Sequence, residues 1–232
     1  MSVESTQPLP EGRPPRQVQE RLWLFAPNRD CMGGSAWWLE TPGCAAAGVL
    51  VDCPGLTQAN LAFLAERGSG QVVLTSREGH GRIRRIQDAL SWPVLVQEQE
   101  AYLLPGLALE TFGREHRIAP GLTLRWTPGP TPGSAVLLAD ATAQQPPVLF
   151  CGRLLSPVAP DQALPLRSRR SFHWGRWLNS LADLRAWIPS EPPLWLASGA
   201  GLGALRGEAL IPCLQERLAA LDLLSLRDQP MP

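Results

Sequence analysis

Residues 126–134 read Trp126-Thr127-Pro128-Gly129-Pro130-Thr131-Pro132-Gly133-Ser134. Proline fixes φ and lacks an amide donor, and glycine supplies conformations other residues avoid, so the stretch is neither a helix nor a continuous strand. It is a tight turn between two apolar runs, Leu122–Trp126 and Ser134–Ala139, which the pattern predicts as strands. Leu107–Thr111 upstream and Val148–Cys151 downstream are further strand candidates, so the middle of the chain is β-rich.

The first half alternates differently. Leu22–Ala26, Ala36–Glu40 and Gly48–Asp52 are predicted strands separated by turn residues. Thr57 is placed to cap a helix running to about Arg67, with Gly68 as its stop. Gln71–Thr75 and Pro93–Val96 are predicted strands. Arg82–Leu90 is helical, with Ile83, Ile86 and Leu90 on one face, and Gln97–Leu104 is a short helix. After a polar, Arg-rich stretch from Ser156 to about Arg170, the pattern gives a helix over Trp177–Ile188 and a strand over Leu194–Ala197. A Leu-rich helix over Gly207–Leu226 follows, interrupted or kinked at Pro212. Residues 1–20, with Pro8, Pro10, Pro14 and Pro15, read as a disordered arm, and residues 21–228 as one domain. Two sheets face to face with helices outside fit this order, as do other α/β or α+β layouts.

Composition excludes several classes. With 44% hydrophobic and 18% charged residues over 232 positions, a packed core is expected. The formal net charge is zero, so nothing at whole-chain level points to a polyanion partner. All 21 basic residues are Arg, which rules out a Schiff-base lysine; codon use in a genome rich in G and C accounts for the bias. The five Cys form neither a CxxC pair nor a zinc-ribbon spacing. No apolar run is long enough to span a bilayer. A reducing, cytoplasmic setting without membrane attachment is the expectation.

Five landmarks in order resemble the metallo-β-lactamase-fold superfamily. Gly48–Val49–Leu50–Val51–Asp52–Cys53–Pro54 resembles its early strand ending in Asp. Val72–Thr75 resembles the strand leading into its metal loop. Residues 126–134 resemble its TPGHTPGS segment, Leu149–Arg153 its LFxGD segment, and Ala197–Gly201 its SGHG loop. Asn28–Arg29–Asp30 with Gly33–Gly34, and Gln97–Pro105, are similar to a small cyanobacterial branch. The resemblance covers roughly residues 22–205 and implies an α/β (α+β) fold, a four-layer αββα sandwich.

It also implies where metal ligands would stand, and this sequence has replaced them. The HxHxDH loop reads Ser76–Arg77–Glu78–Gly79–His80–Gly81 here. Ser76 and Glu78 stand at the two His positions, His80 at the Asp and Gly81 at the last His; one indel instead brings His80 into register with a His. Pro130, Arg153 and Ala200 stand at the remaining ligand positions. Arg153 reverses the charge of a bridging Asp, and a guanidinium does not deprotonate. Glu78, His80 and Asp52 fall short of a closed site, so no zinc and no other cofactor is expected.

Other chemistry rests on few residues. Ser76 with His80, oriented by Asp52, is the one nucleophile–base arrangement; the alternative is that Ser76 merely fills a vacated position. Arg77, Arg153, Arg167, Arg169 and Arg170, with Asp52, are candidate ligand-binding residues, because guanidinium groups fork onto phosphate or carboxylate. Trp174, Trp177 and Phe172 interleave with the last Arg cluster as a stacking surface would. Three readings stand. The first is a non-catalytic binding or assembly module, whose partner is a protein or a small anion in the vacated cleft. The second is a hydrolase, esterase-like or weakly metal-dependent, using the same cleft. The third is a nucleic-acid-associated protein. If an ion pair replaces the metals, Arg153 points into the cleft and meets Glu78 or Asp52.

Overall fold

Two runs of the chain, Gly48–Val51 and Ala135–Ala139, are buried at every position, and each is the middle strand of a sheet. A strand that is apolar on both faces must be covered on both faces. That requirement produces two sheets packed on each other, with helices on the outer face of each. The computed structural model describes residues 8–228.

The first sheet takes its seven strands in chain order: β1 (Arg16–Gln19), β2 (Leu22–Leu24), β3 (Trp37–Glu40), β4 (Gly48–Val51), β5 (Gln71–Leu74), β6 (Val94–Gln97) and β7 (Leu109–Phe112). β1 to β4 pair antiparallel, with a longer loop over residues 25–36 between β2 and β3. From β4 onward the pairing is parallel. Parallel neighbours need crossovers, and helices α1 (Gln58–Glu66) and α2 (Ile83–Leu90) supply two of them. Thr57 accepts a hydrogen bond from the Asn60 N–H at 3.2 Å, and Gly68 ends the α1 segment at φ 75°. Ile83 and Ile86 of α2 are buried with Leu50, Val72 and Val94 on the outer face of the sheet.

The second sheet has β8 (Glu115–Ala119), β9 (Leu122–Trp126), β10 (Ala135–Ala139) and β11 (Val148–Phe150) as an antiparallel meander. A hairpin, β12 (Ser156–Ala159) with β13 (Gln162–Leu164), and helix α3 (Trp174–Trp187) follow. The chain then returns as β14 (Trp195–Ala197), parallel to β11. Helices α4 (Leu214–Ala219) and α5 (Leu223–Arg227) close the described chain. α3 buries Trp177, Leu178, Leu181 and Leu184 against Val136, Leu138 and Leu149 of the second sheet. Between the sheets lie Trp37, Val49, Val51, Val73 and Leu95 from one side and Leu124, Leu137, Val148 and Phe150 from the other. The Trp37 and Phe150 rings meet edge-on at 6.2 Å. The architecture is the expected four-layer αββα sandwich.

Several expectations change. The arm expected over 1–20 contains β1, and the Pro10 and Glu11 carbonyls accept from the Gln58 and Ala59 N–H groups at 2.9 Å, satisfying donors that a helix start leaves open. Residues 1–7 of that arm lie outside the described residues. β8 was not expected, because an edge strand with Glu115 and Arg117 turned outward lacks an apolar run. The polar stretch after Ser156 holds the β12–β13 hairpin. α3 starts at Trp174, three residues early, because the His173 ring nitrogen accepts the Arg176 N–H at 3.2 Å and caps it. The closing helix is broken into two. Ile211 instead exchanges both backbone hydrogen bonds with Leu196, and Cys213 turns at φ 56° before α4 begins.

Deleting residues 1–20 therefore removes a strand and two backbone caps. The shortened protein is expected to unfold at a midpoint lower by several degrees, corresponding to a loss of about 1–2 kcal/mol. A thermal melt with an unchanged midpoint would show that the arm stabilises nothing.

Candidate functional site

Four strand ends meet at one rim of the sandwich: β4 at Asp52, β5 at Thr75, β11 at Cys151–Gly152–Arg153 and β14 at Ser198–Gly199. Backbone hydrogen bonds tie them together. Asp52 N–H donates to Val73 O, Ala135 N–H to Thr75 O, and Gly199 N–H to Gly152 O. The Trp37 indole crosses between the sheets to donate to Ser198 O at 3.0 Å. The rim is thus a rigid frame on which side chains are mounted.

Asp52 is the deepest of them. It sits at φ 60°, a left-handed conformation that costs an ordinary residue on the order of 1 kcal/mol. Its carboxylate is held by the Thr75 N–H at 2.8 Å and by the Thr75 hydroxyl at 2.7–2.9 Å. A Cβ at position 79 would lie 2.2 Å from Asp52 Oδ1, and one at position 199 would lie 2.9 Å from Oδ2, so the two glycines leave the carboxylate its space. Burial lifts its pKa to about 6; the Thr75 hydrogen bonds and the Arg153 charge hold it from going higher.

The loop after β5 is a 3-10 turn over Arg77–Gly79. Glu78 turns into the cleft and pairs with Arg153, Nε to Oε2 at 3.0 Å, with both side chains mostly enclosed. Arg153 Nη2 donates to the carbonyls of Cys31 at 2.7 Å and Met32 at 3.2 Å. The pairing expected for Arg153 exists, with Glu78 as its partner; Asp52 is bonded to Thr75 instead. His80 does not face Ser76 or Asp52 through any hydrogen bond. Its Nε2 lies 3.8 Å from Glu100 Oε2, and both atoms are buried without a hydrogen-bond partner. Burial, and then the Arg77 charge, lowers the His80 pKa to about 4, so its ring is neutral. Burial raises that of Glu100, whose Oε1 accepts the Gly133 N–H at 3.0 Å. A Ser76–His80–Asp52 relay therefore lacks both of the hydrogen bonds it needs.

A cleft of about 270 Å³ opens beside the ion pair. Arg153, Glu78, Pro130 and Trp177 lie at its inner side, and Arg170, Ser156, Ser168 and Ser171 at its outer side. Exposed Met32 and Leu166 also line it. Arg170 approaches Met32 Sδ at 2.9 Å. Of the candidate arginines, Arg153 and Arg170 share this cleft. Arg167 instead lies over the Trp174 ring at 5.6 Å, Arg77 sits on the exposed side of its turn, and Arg169 is exposed outside the cleft lining. Trp174 and Trp177 are buried, so the expected stacking surface reduces to Phe172, with Arg176 against it at 5.9 Å. Glu100 and the three serines were not singled out from the sequence. The serines fall within the polar stretch, whose folding back over the rim only the tertiary structure reveals.

The donor set does not fit a metal centre. Among the described residues, no three His, Cys, Asp or Glu side chains come together to hold an ion. Glu78 is committed to a guanidinium, Asp52 to a threonine, and Pro130 and Ala200 offer no donor.

No protein-family model and no curated protein matches the chain. Solved structures do. The B3 metallo-β-lactamase BLEG-1 is 20% identical, with a TM-score of 0.62, over 84% of this chain and 95% of that one. The di-iron-bound form of TTHA1623 is 19% identical, with a TM-score of 0.58, over 77% and 94%. A quorum-quenching N-acyl homoserine lactone hydrolase is 16% identical, with a TM-score of 0.57, over 79% and 93%. The chain has the metallo-β-lactamase fold.

The buried titratable groups oppose one another in acid. The raised pKa of Asp52 favours the folded state as pH falls from about 6 toward 3.8, and Glu100 has the same sign. The lowered pKa of His80 has the opposite sign: its contribution is complete above 6.5 and is lost as pH falls toward 4. In a His80→Gln protein only the first effect remains. Relative to wild type, the variant is expected to gain about 2 kcal/mol between pH 6.5 and 4.5, measured by urea unfolding. Parallel stability curves for the two proteins would contradict this arrangement.

Proposed function

We propose that this protein is a binding module that has kept the metallo-β-lactamase scaffold without its metal hydrolysis, and that its cleft takes a small anionic group. One observation carries the reading: a guanidinium, Arg153, occupies the rim between the strand ends, already neutralised by Glu78 and oriented by two carbonyls. Next to it Arg170 and three serines line an open cleft whose net charge is then positive. A carboxylate or phosphate entering there meets Arg170, the free edge of the Arg153 fork and serine hydroxyls, a donor set suited to a charge-assisted pair. The group belongs to a metabolite or to an acidic side chain of a protein partner.

A hydrolase using the same cleft draws its support from the fold neighbours. Against it stands the lack of hydrogen bonds linking Ser76, His80 and Asp52, which leaves Ser76 without an activating base. Burial of Trp174 and Trp177 weighs against a single-stranded nucleic acid partner, since stacking needs exposed rings. Among the described residues no helix is long and apolar enough to cross a membrane. The five thiols are free, in keeping with a reducing, cytoplasmic setting.

Millimolar phosphate, sulfate or acetate is expected to raise the melting midpoint by a few degrees, because a ligand selective for the native state stabilises it. Arg170→Ala should remove most of that rise while leaving the unliganded midpoint nearly unchanged, since Arg170 is exposed. Arg85→Ala, on α2, should keep the full rise. No rise with any of the three anions, or an undiminished one in Arg170→Ala, would overturn the reading.

A further inference from the structure

Behind the Arg153–Glu78 contact lie two thiols that the anion reading does not use. Cys31 and Cys53 are 4% and 1% exposed. They come from segments 22 residues apart, and Asn28 fastens those segments together. Its Oδ1 accepts from the Cys31 N–H at 3.0 Å and its Nδ2 donates to Cys53 O at 3.2 Å. The Cys31 thiol donates to Cys53 O at 3.1 Å. A Cβ added to Gly81 would lie 2.9 Å from each sulfur, so both sulfurs crowd one point and only a glycine leaves them room. The Arg82 N–H, at the start of α2, also faces the Cys53 sulfur. Hydrogen bonding to Cys31 and then burial push the Cys53 thiol up, as expected for two adjacent thiols that do not both ionise.

We propose that Cys31 and Cys53 form a reversible dithiol–disulfide site, closed by a hydroperoxide of the hydrogen peroxide class. The thiolate of one cysteine attacks a peroxide oxygen; the O–O bond breaks, and hydroxide leaves and takes up a proton as water. The second sulfur then attacks the resulting sulfenic sulfur. The S–O bond breaks, the S–S bond forms, and the thiol proton departs with the hydroxyl as a second water. The two thiols lose two electrons and the peroxide gains them. Burial and the raised Cys53 pKa make the reaction slow beside that of an exposed low-pKa thiol, so the site answers to sustained oxidant.

The bond would sit where the cleft is anchored. The Cys31 carbonyl accepts from Arg153, and the Cys53 N–H donates to the carbonyl of Gly79, next to Glu78. A disulfide would fasten the 28–34 turn to the strand end that carries Asp52. Neither cysteine lines the cleft, so the bond would act on it through these backbone contacts.

The test uses the full-length wild-type protein. After exposure to hydrogen peroxide it is denatured, alkylated, digested and weighed by mass spectrometry. The expected product joins the Cys31 and Cys53 peptides, about 2 Da lighter than their sum, and a dithiol reductant restores the separate peptides. Amide exchange over residues 29–34 should slow in the oxidised protein and be unchanged in oxidised Cys53→Ser. Free Cys31 and Cys53 after Cys44 and Cys213 have reacted would overturn the proposal. So would their separate conversion to sulfinic acids, or a link that forms only in urea.

Discussion

The Arg153 guanidinium joins three segments of the rim at once. Its Nε reaches Glu78 in the turn after β5, and its Nη2 reaches the carbonyls of Cys31 and Met32 in the turn before β3, while its own backbone extends the end of β11. These segments come from both sheets, so the contact closes the rim from above. A mostly enclosed ion pair is weak evidence of net stability, because desolvation offsets much of the attraction. Its strength lies in position: removing one partner leaves the other charge enclosed and unpaired, which costs several kcal/mol when burial is complete and less at this partial exposure.

That pair is one of several contacts that fasten the rim loops to one another. A metal cross-links its loops, and without one the loops need other fastenings. Asp52 keeps its place at the end of β4 but is bonded to Thr75. Pro130 stiffens a turn already closed by the Thr131 N–H and the Ser134 hydroxyl at 2.9 Å. Phe172 and His173 donate their N–H groups to the Pro130 and Gly129 carbonyls, drawing the segment before α3 over the same turn. Each fastening uses a residue that cannot ligate a metal or one already bonded elsewhere. The result is a cleft in which Arg153 and Arg170 outweigh the one carboxylate, Glu78.

Much of this is legible in the sequence. Strands buried on both faces, such as Gly48–Val51, announce themselves as unbroken apolar runs, and the Thr57 and Gly68 signals bracket α1 because capping is local chemistry. The Arg153–Glu78 pair was foreseeable because a buried charge demands a partner. Edge elements were harder. β1 and β8 pair on one side only and carry polar residues, so their pattern resembles a loop. Glu100 escaped notice because its environment is made by segments distant in sequence, His80 and Gly133. Ser156, Ser168 and Ser171 were hidden for the same reason. Their side chains gain meaning only when the stretch between β11 and α3 folds back over the rim.

The Arg153–Glu78 ion pair occupies the rim, and metal content tests most directly whether that rim works without a metal. The protein would be produced in medium supplemented with zinc, iron and manganese, dialysed against metal-free buffer, and assayed by elemental analysis, with zinc titration by calorimetry alongside. Far less than one equivalent of any of the three metals and no tight zinc isotherm are expected. One or more ions retained per chain, released together with a change in the environment of Glu78 or Asp52, would contradict this.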